Sequence, residues 1–365
     1  MTLSHSTNKR KAVLPLHIDT ASFINSQSST SSTWYHPISI SGWRANKRQV
    51  LVLLLILFMS LSWNILQYSH PYSKSLHNFT NSNDNIINDP LPLPPFINNI
   101  YTHAIIVTGH AIYNGPLDNA TQLYDESNWI LESYQHNQVP TFIEHIKKGI
   151  QLLKSDPQSI LLFSGGQTRS NAGPISEGLS YWKIAQLLLK FPTSKFSNDM
   201  VLDLELENTN EQSQELLQQL SKRMVVEEYA LDSFENVLYS TCRFSEMTNV
   251  YPDHISIIGF EFKRARFELL HLPSIRFKSF KYIGIDPNFV PPEQMVSAQQ
   301  GELLNSFQPF EKDLYGCHGS LKQKKLDRNP FRRRSPYRTT CPTLQPLLDY
   351  CPSNNNVFDG PLPWI

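Results

Sequence analysis

The stretch SILLFSGGQTR, residues 159–169, decides the fold. Ser159 to Phe163 is a short apolar run of strand length. It passes directly into Ser164-Gly165-Gly166. After a polar loop, a helical pattern runs over 176–189 with Tyr181, Ile184, Ala185 and Leu188 along one side. The same grammar recurs around it. Ala104 to Thr108 precedes Gly109-His110-Ala111 and a helical pattern over 141–154. Met224 to Val226 precedes the run Glu227 to Asn236 and a helix over 233–249. His254 to Ile258 precedes Gly259-Phe260-Glu261 and a helix over 261–271, and Phe280 to Ile285 supplies a fifth strand. Alternating strand and helix predicts an α/β fold, a Rossmann-like three-layer sandwich with a mostly parallel sheet. Right-handed crossovers place helices on both faces. In such a sheet the loops after the strands meet at the carboxyl edge, where ligands bind.

Those loops hold the candidate site residues. Gly165 and Gly166 let backbone amides after Ser164 turn inward as an anion nest, with Gln167, Thr168 and Arg169 as further donors. Glu177 starts a helix, where helix-dipole compensation alone would justify it. Glu227 and Glu228 end a strand, so one of them points into the crevice. A carboxylate there can act as a base or hold a ligand hydroxyl. Asp232-Ser233-Phe234-Glu235 has capping-box spacing, which leaves Asn236 unexplained. In the run 259–266, Arg264 suits a phosphate or carboxylate through its planar fork. It also lies one turn from Glu261 and can pair with it.

These motifs, in this order, resemble the domain-of-unknown-function 218 family, the SanA, ElyC and YdcF-like proteins. That family has a glycine loop after the first strand, then Ser-Gly-Gly and a Glu at a helix start. Later come a Glu, a Thr-x-Glu-Asn stretch and Tyr-His-x-x-Arg-Ala. The matching positions here are Gly109, Ser164-Gly165-Gly166, Glu177, Glu228, Ser233-Phe234-Glu235-Asn236 and the run from Phe260 to Ala265. The family threonine is Ser233, which keeps a hydroxyl, and the family histidine is Glu261, which removes a group that titrates near neutrality. His110 stands near the same edge. The match is with a fungal membrane-anchored branch, whose tails carry a cysteine-rich end and an Arg-Asn-Pro-Phe segment, as at Arg328 to Phe331. The resemblance implies catalytic roles for Glu177, Glu228 and Glu261. It implies ligand contacts from Gly109, His110, Ser164, Gly165, Gly166, Ser233, Asn236 and Arg264. It names no cofactor.

Around this domain, at 101–305, the 365-residue chain carries appendages. Residues 1–49 are Ser/Thr-rich with one acid, Asp19, as in a disordered cytosolic tail. The run from Val50 to Leu66 is nearly all apolar. Taken as 50–68 it spans roughly 28 Å as a helix, enough for a thin early-secretory bilayer. Arg44, Lys47 and Arg48 before it predict a type II signal anchor with a lumenal carboxyl side. A Golgi or endoplasmic-reticulum membrane fits; a mitochondrial inner-membrane anchor is the alternative. A Ser/Asn/Pro-rich stalk fills 69–100, with a sequon at Asn78; a second lies at Asn119.

An acidic insertion at 192–223 holds a short helix at 212–220. The tail, 306–365, is basic and cysteine-containing and reads as a solvated loop or an anion-binding surface. Of the four cysteines, Cys242 falls in a helical core pattern, and Cys341 with Cys351 makes the easiest disulfide. Zinc-ligand spacing is absent. Zero formal net charge gives no field for nucleic acid. The expected function is that of an enzyme acting on a phosphorylated or glycan-linked substrate. The alternatives are a non-catalytic binder of a nucleotide-like or sugar-phosphate ligand, and a lumenal scaffold using its basic tail.

Overall fold

The computed structural model describes residues 101–190 and 211–365, and of the amino-terminal unit only Met59. Apart from Met59, the anchor at 50–68 lies outside the described residues, as do the stalk, Asn78 and the first part of the acidic insertion. Among the described residues, no helix is long and apolar enough to cross a membrane.

The strands are β1 (His103–Thr108), β2 (Ile112–Tyr113), β3 (Trp129–Ile130), β4 (Ser159–Ser164), β5 (Met224–Glu227), β6 (His254–Gly259) and β7 (Phe280–Gly284). Five of them form one sheet in the order β5-β4-β1-β6-β7, with every pairing parallel. β2 and β3 form a separate antiparallel ribbon. Parallel strands covered on both faces need apolar side chains on both sides, which is why AIIVT and SILLF read as unbroken runs. Ile105, Val107, Leu161 and Phe163 face α1 (Val139–Ser155) and α2 (Glu177–Lys190). Ala104, Ile106, Ile160 and Leu162 face α4 (Ser233–Thr248). The helix expected at 212–220 is α3 (Glu211–Lys222), which buries Ser213 and Leu220.

The chain moves outward from β1 to β4 and β5, then α4 carries it back to β6 on the other flank of β1. Strand order thus reverses between β1 and β6. The crevice beyond their carboxyl ends is the topological switch point, where open α/β sheets take ligands. After β6 a short helical stretch follows: a 3-10 turn Glu261–Lys263, an α turn Arg264–Arg266 and a π turn Phe267–His271.

The tail is not a loop on the surface. Helix α5 (Pro292–Glu302) continues through a π turn, Leu303–Phe307, into Gln308–Lys312, so no boundary falls at 305. Beyond it Phe310, Tyr315, Leu321, Tyr337, Leu344 and Leu347 join the α4 side of the core. Helix α6 (Gly319–Asp327) carries the basic residues.

The disulfide joins Cys317 to Cys351, Cα atoms 5.9 Å apart, and not Cys341 to Cys351 as expected. Cys341 is buried in the α4-side core against Tyr251, 3.5 Å from its hydroxyl, which removes it from reach of Cys351. Cys242 is free and buried, as expected. A link across a sequence separation of 34 should stabilise the fold by ~3–4 kcal/mol on the chain-entropy account. Peptide mapping without reduction should recover the Cys317–Cys351 pair. Cys351→Ser should lower the melting temperature while Cys341→Ser leaves the linked pair intact.

Candidate active site at the carboxyl edge of the sheet

Glu227 ends β5 and is fully buried. Its Oε1 accepts from the Tyr229 amide at 2.7 Å and the Tyr337 hydroxyl at 3.2 Å. Its Oε2 accepts from the Ala230 amide at 3.2 Å and faces the Ser164 hydroxyl at 2.8 Å. Burial raises its pKa to about 7, because those donors only partly offset desolvation. Ser164 Oγ also lies 2.9 Å from Asn236 Oδ1. One hydroxyl has one proton. A protonated Glu227 donating to Ser164, which then donates to Asn236, satisfies both contacts. This network ties β4, β5, α4 and the tail together. Ser164 and Asn236, expected to contact ligand, are consumed in it. Glu228 is the more superficial neighbour: its Oε1 accepts from Ser176 Oγ at 2.9 Å.

The expected anion nest is closed. The Gly165 amide donates to Glu227 O at 3.1 Å and the Gly166 amide to Ala230 O at 2.8 Å, so neither faces the crevice free. The glycines serve close packing instead. A Cβ on Gly109 or Gly165 would stand 2.6 or 2.8 Å from Glu177 Cβ. Only bare backbone lets the Glu177 carboxylate lie between the β1 and β4 loops, where Thr168 Oγ1 donates to it. Arg169 pairs with Glu132, away from this point.

Arg264, expected to clamp an anion, is neutralised. Its Nε and Nη2 bind both oxygens of Glu261, and Nη1 binds Glu268 at 3.0 Å and Tyr282 O at 2.9 Å. Glu261 is exposed and belongs to that ion pair, not to a catalytic position. The cations that turn inward are its neighbours. Lys263 Nζ lies 3.4 Å from His110 Nδ1 and 4.9 Å over the Phe260 ring. Arg266 is buried, with Nε 3.2 Å from Glu302 Oε1 but without hydrogen-bond alignment. Lys263 keeps part of its surface accessible. Even so, desolvation lowers its pKa to about 7; Arg266 and Arg328 add to this and Glu302 and Glu177 oppose it.

His110 is buried, stacked on Phe260 at 4.7 Å, with Nε2 unpartnered. Burial first, then the Lys263 charge, keeps it neutral, well below its ordinary pKa. Deeper on the other side, Ser233 Oγ lies 2.7 Å from Nε2 of buried His271, a residue the sequence pattern did not single out.

The tail completes the rim. Lys325 Nζ sits 3.1 Å from Asp232 and 3.0 Å from Glu235, the capping residues of α4. Burial opposes its charge, but the two carboxylates outweigh that and hold its pKa above the ordinary value. Arg328 Nη1 donates to Leu231 O at 3.1 Å. Lys324 binds Asn305 O, and its pKa is lowered first by burial and then by Arg328 and Arg266. Lys263, Arg266, Lys324 and Arg328 thus share one electrostatic neighbourhood with Glu177 and Glu302. Asn119 is exposed and caps a 3-10 turn by accepting from the Thr121 amide.

This is a Rossmann-like α/β domain with a cation-rimmed crevice at its switch point. The chain belongs to the family of a yeast protein. It is 34% identical over 283 residues to the uncharacterized protein YOR238W of Saccharomyces cerevisiae, covering 70% of this chain and 90% of that one. No family model matches the chain, and no solved structure matches it.

Proposed function

We propose that the crevice binds and processes a small phosphorylated or glycan-linked substrate. In this reading the protein is anchored by 50–68 in an early-secretory membrane with the α/β domain lumenal. The observation that carries it is the gathering of Lys263, Arg266, Lys324 and Arg328 in one neighbourhood, with Arg266 beside Glu302 and Lys263 within reach of Glu177. More cation than carboxylate at a topological switch point suits a phosphate group. Residue order along the loops supports placement in the domain-of-unknown-function 218 group. Ligand binding without turnover is the second reading. It is favoured by the engagement of Glu227, Ser164 and Asn236 in the fold, which leaves Glu177 as the carboxylate lodged between the β1 and β4 loops.

Thermal unfolding of the detergent-solubilised full chain against pyrophosphate and hexose phosphates tests this. A ligand at about a hundred times its Kd should add ~2.7 kcal/mol of stability. Arg328→Ala should weaken that effect by tenfold or more while the unliganded melting temperature changes little, because Arg328 is only partly buried. An unchanged midpoint with all such probes counts against the reading. Turnover of the same compounds separates enzyme from binder.

A further inference from the structure

Lys263 is set apart from the other inward-turned cations by what it touches. Lys325 is held between two carboxylates. Lys263 instead has an imidazole as its hydrogen-bond partner, and its Nζ lies over Phe260 at 4.9 Å and Phe262 at 5.8 Å. An ammonium loses hydration there, and among the described residues the carboxylates near it act at a distance rather than in a direct ion pair. The charged groups that act on it are Arg266, Arg328, Glu302 and Glu177, with His110, His145 and Asp286 also coupled to it. An aliphatic amine beside other cations and within aromatic walls is the arrangement that frees a lysine lone pair near neutrality.

We propose that Lys263 is an amine nucleophile that forms a Schiff base with a small phosphorylated aldehyde or ketone held in the crevice. This rests on the anion-binding reading above and names its substrate class. The Nζ lone pair forms a bond to the carbonyl carbon, and the carbonyl π pair moves to oxygen. The proton lost from nitrogen passes to His110 Nδ1, 3.4 Å away. It is returned to the alkoxide oxygen to give the carbinolamine, and the second nitrogen proton follows the same route as the C–O bond breaks, so that the hydroxyl leaves as water. Amine and carbonyl become imine and water, with no change of oxidation state. Arg266, Lys324 and Arg328 hold the phosphate. Glu177, fixed between Gly109 and Gly165, is placed to orient a substrate hydroxyl.

The test uses the detergent-solubilised full chain, borohydride, and three probes. Pyridoxal 5′-phosphate carries carbonyl and phosphate, pyridoxal lacks the phosphate, and pyridoxine 5′-phosphate lacks the carbonyl. Peptide mass spectrometry locates the reduced adduct. At neutral pH pyridoxal 5′-phosphate should label Lys263 at least about tenfold faster than any other lysine, since Lys263 alone joins aromatic walls and an imidazole partner to a neighbouring phosphate clamp. Pyridoxine 5′-phosphate should suppress that labelling. Pyridoxal should label Lys263 at least about tenfold more slowly than its phosphate ester, because a charge-assisted clamp on the phosphate is missing. Lys263→Arg should lose the adduct and keep the wild-type melting temperature within a few degrees. If arginine unfolds the protein, Lys263→Met serves, since an uncharged side chain suits the aromatic walls. Labelling of Lys263 no faster than of surface lysines overturns the proposal. So does equal labelling by pyridoxal and its phosphate, which also counts against the anion site. Protection from unfolding by pyridoxine 5′-phosphate without any Lys263 adduct overturns the amine chemistry and leaves the anion site standing.

Discussion

Glu227→Ala should lower the unfolding free energy by about 4–6 kcal/mol, because it leaves several buried donors without an acceptor. Those donors are the Tyr229 and Ala230 amides and the Tyr337 hydroxyl, and Ser164 Oγ loses its contact with the carboxyl group as well. Urea unfolding at neutral pH measures the loss. Glu227→Gln should cost less, and it isolates the titration. The folded pKa of about 7 lies above the unfolded value of 4.5. The folded state therefore binds more protons between those values, and the stability that Glu227 contributes falls as pH rises through that window. The size is ~3 kcal/mol at 1.36 kcal/mol per pKa unit. His110, His145 and His271 are depressed by burial and act oppositely below their ordinary value of 6.5. The measurement is therefore the difference between wild type and Glu227→Gln at each pH. A difference that stays flat from pH 4.5 to 7 would mean that Glu227 is ionised throughout and held by its donors alone.

The strands and the edge where their loops meet were legible in the sequence; which groups those loops present was less so. Doubly covered parallel strands must be apolar on both sides, so AIIVT, SILLF and HISII announce themselves and fix where the loops converge. Which backbone amide is free is a tertiary question. Gly165 and Gly166 look like an anion nest until the carbonyls of Glu227 and Ala230 arrive from a segment more than sixty residues on. The same limit governs Lys263, Arg264 and Arg266. All three lie within about one helical turn, and local sequence does not say which faces inward. Arg264 faces Glu261 and Glu268, three and four residues away. Its neighbours are left to the crevice. The π turn at Phe267–His271 shifts the register just beyond, which also hides His271 from a helical-spacing argument. In the tail, buried apolar residues are spread singly among charges. Phe310, Leu321 and Tyr337 therefore give no periodic signal, although all three are core.

That hidden tail makes Lys325→Met the second large expected effect. Lys325 places its ammonium between Asp232 and Glu235, which cap α4 and are themselves mostly buried. Methionine fills nearly the same volume but leaves two adjacent carboxylates without their cation. Breaking a buried ion pair from one side costs ~3–5 kcal/mol. The loss should show as a fall in melting temperature that lessens on acidification, as protonation of Glu235, whose pKa burial already raises, relieves the repulsion. The double variant Lys325→Met with Glu235→Gln should recover part of the stability at neutral pH, because one buried charge is then gone. A purely peripheral tail would give less than ~0.5 kcal/mol for the single variant. The structure makes the larger value the expectation. Through Lys325, Arg328 and Tyr337, the tail touches the α4 cap, the loop after β5 and Glu227 itself. Lys325 and Tyr337 thus anchor to the core the segment that carries the rim cations. Weakening Lys325 should loosen anion binding at Lys324 and Arg328 as well, and a pyrophosphate titration of the folded fraction measures that coupling.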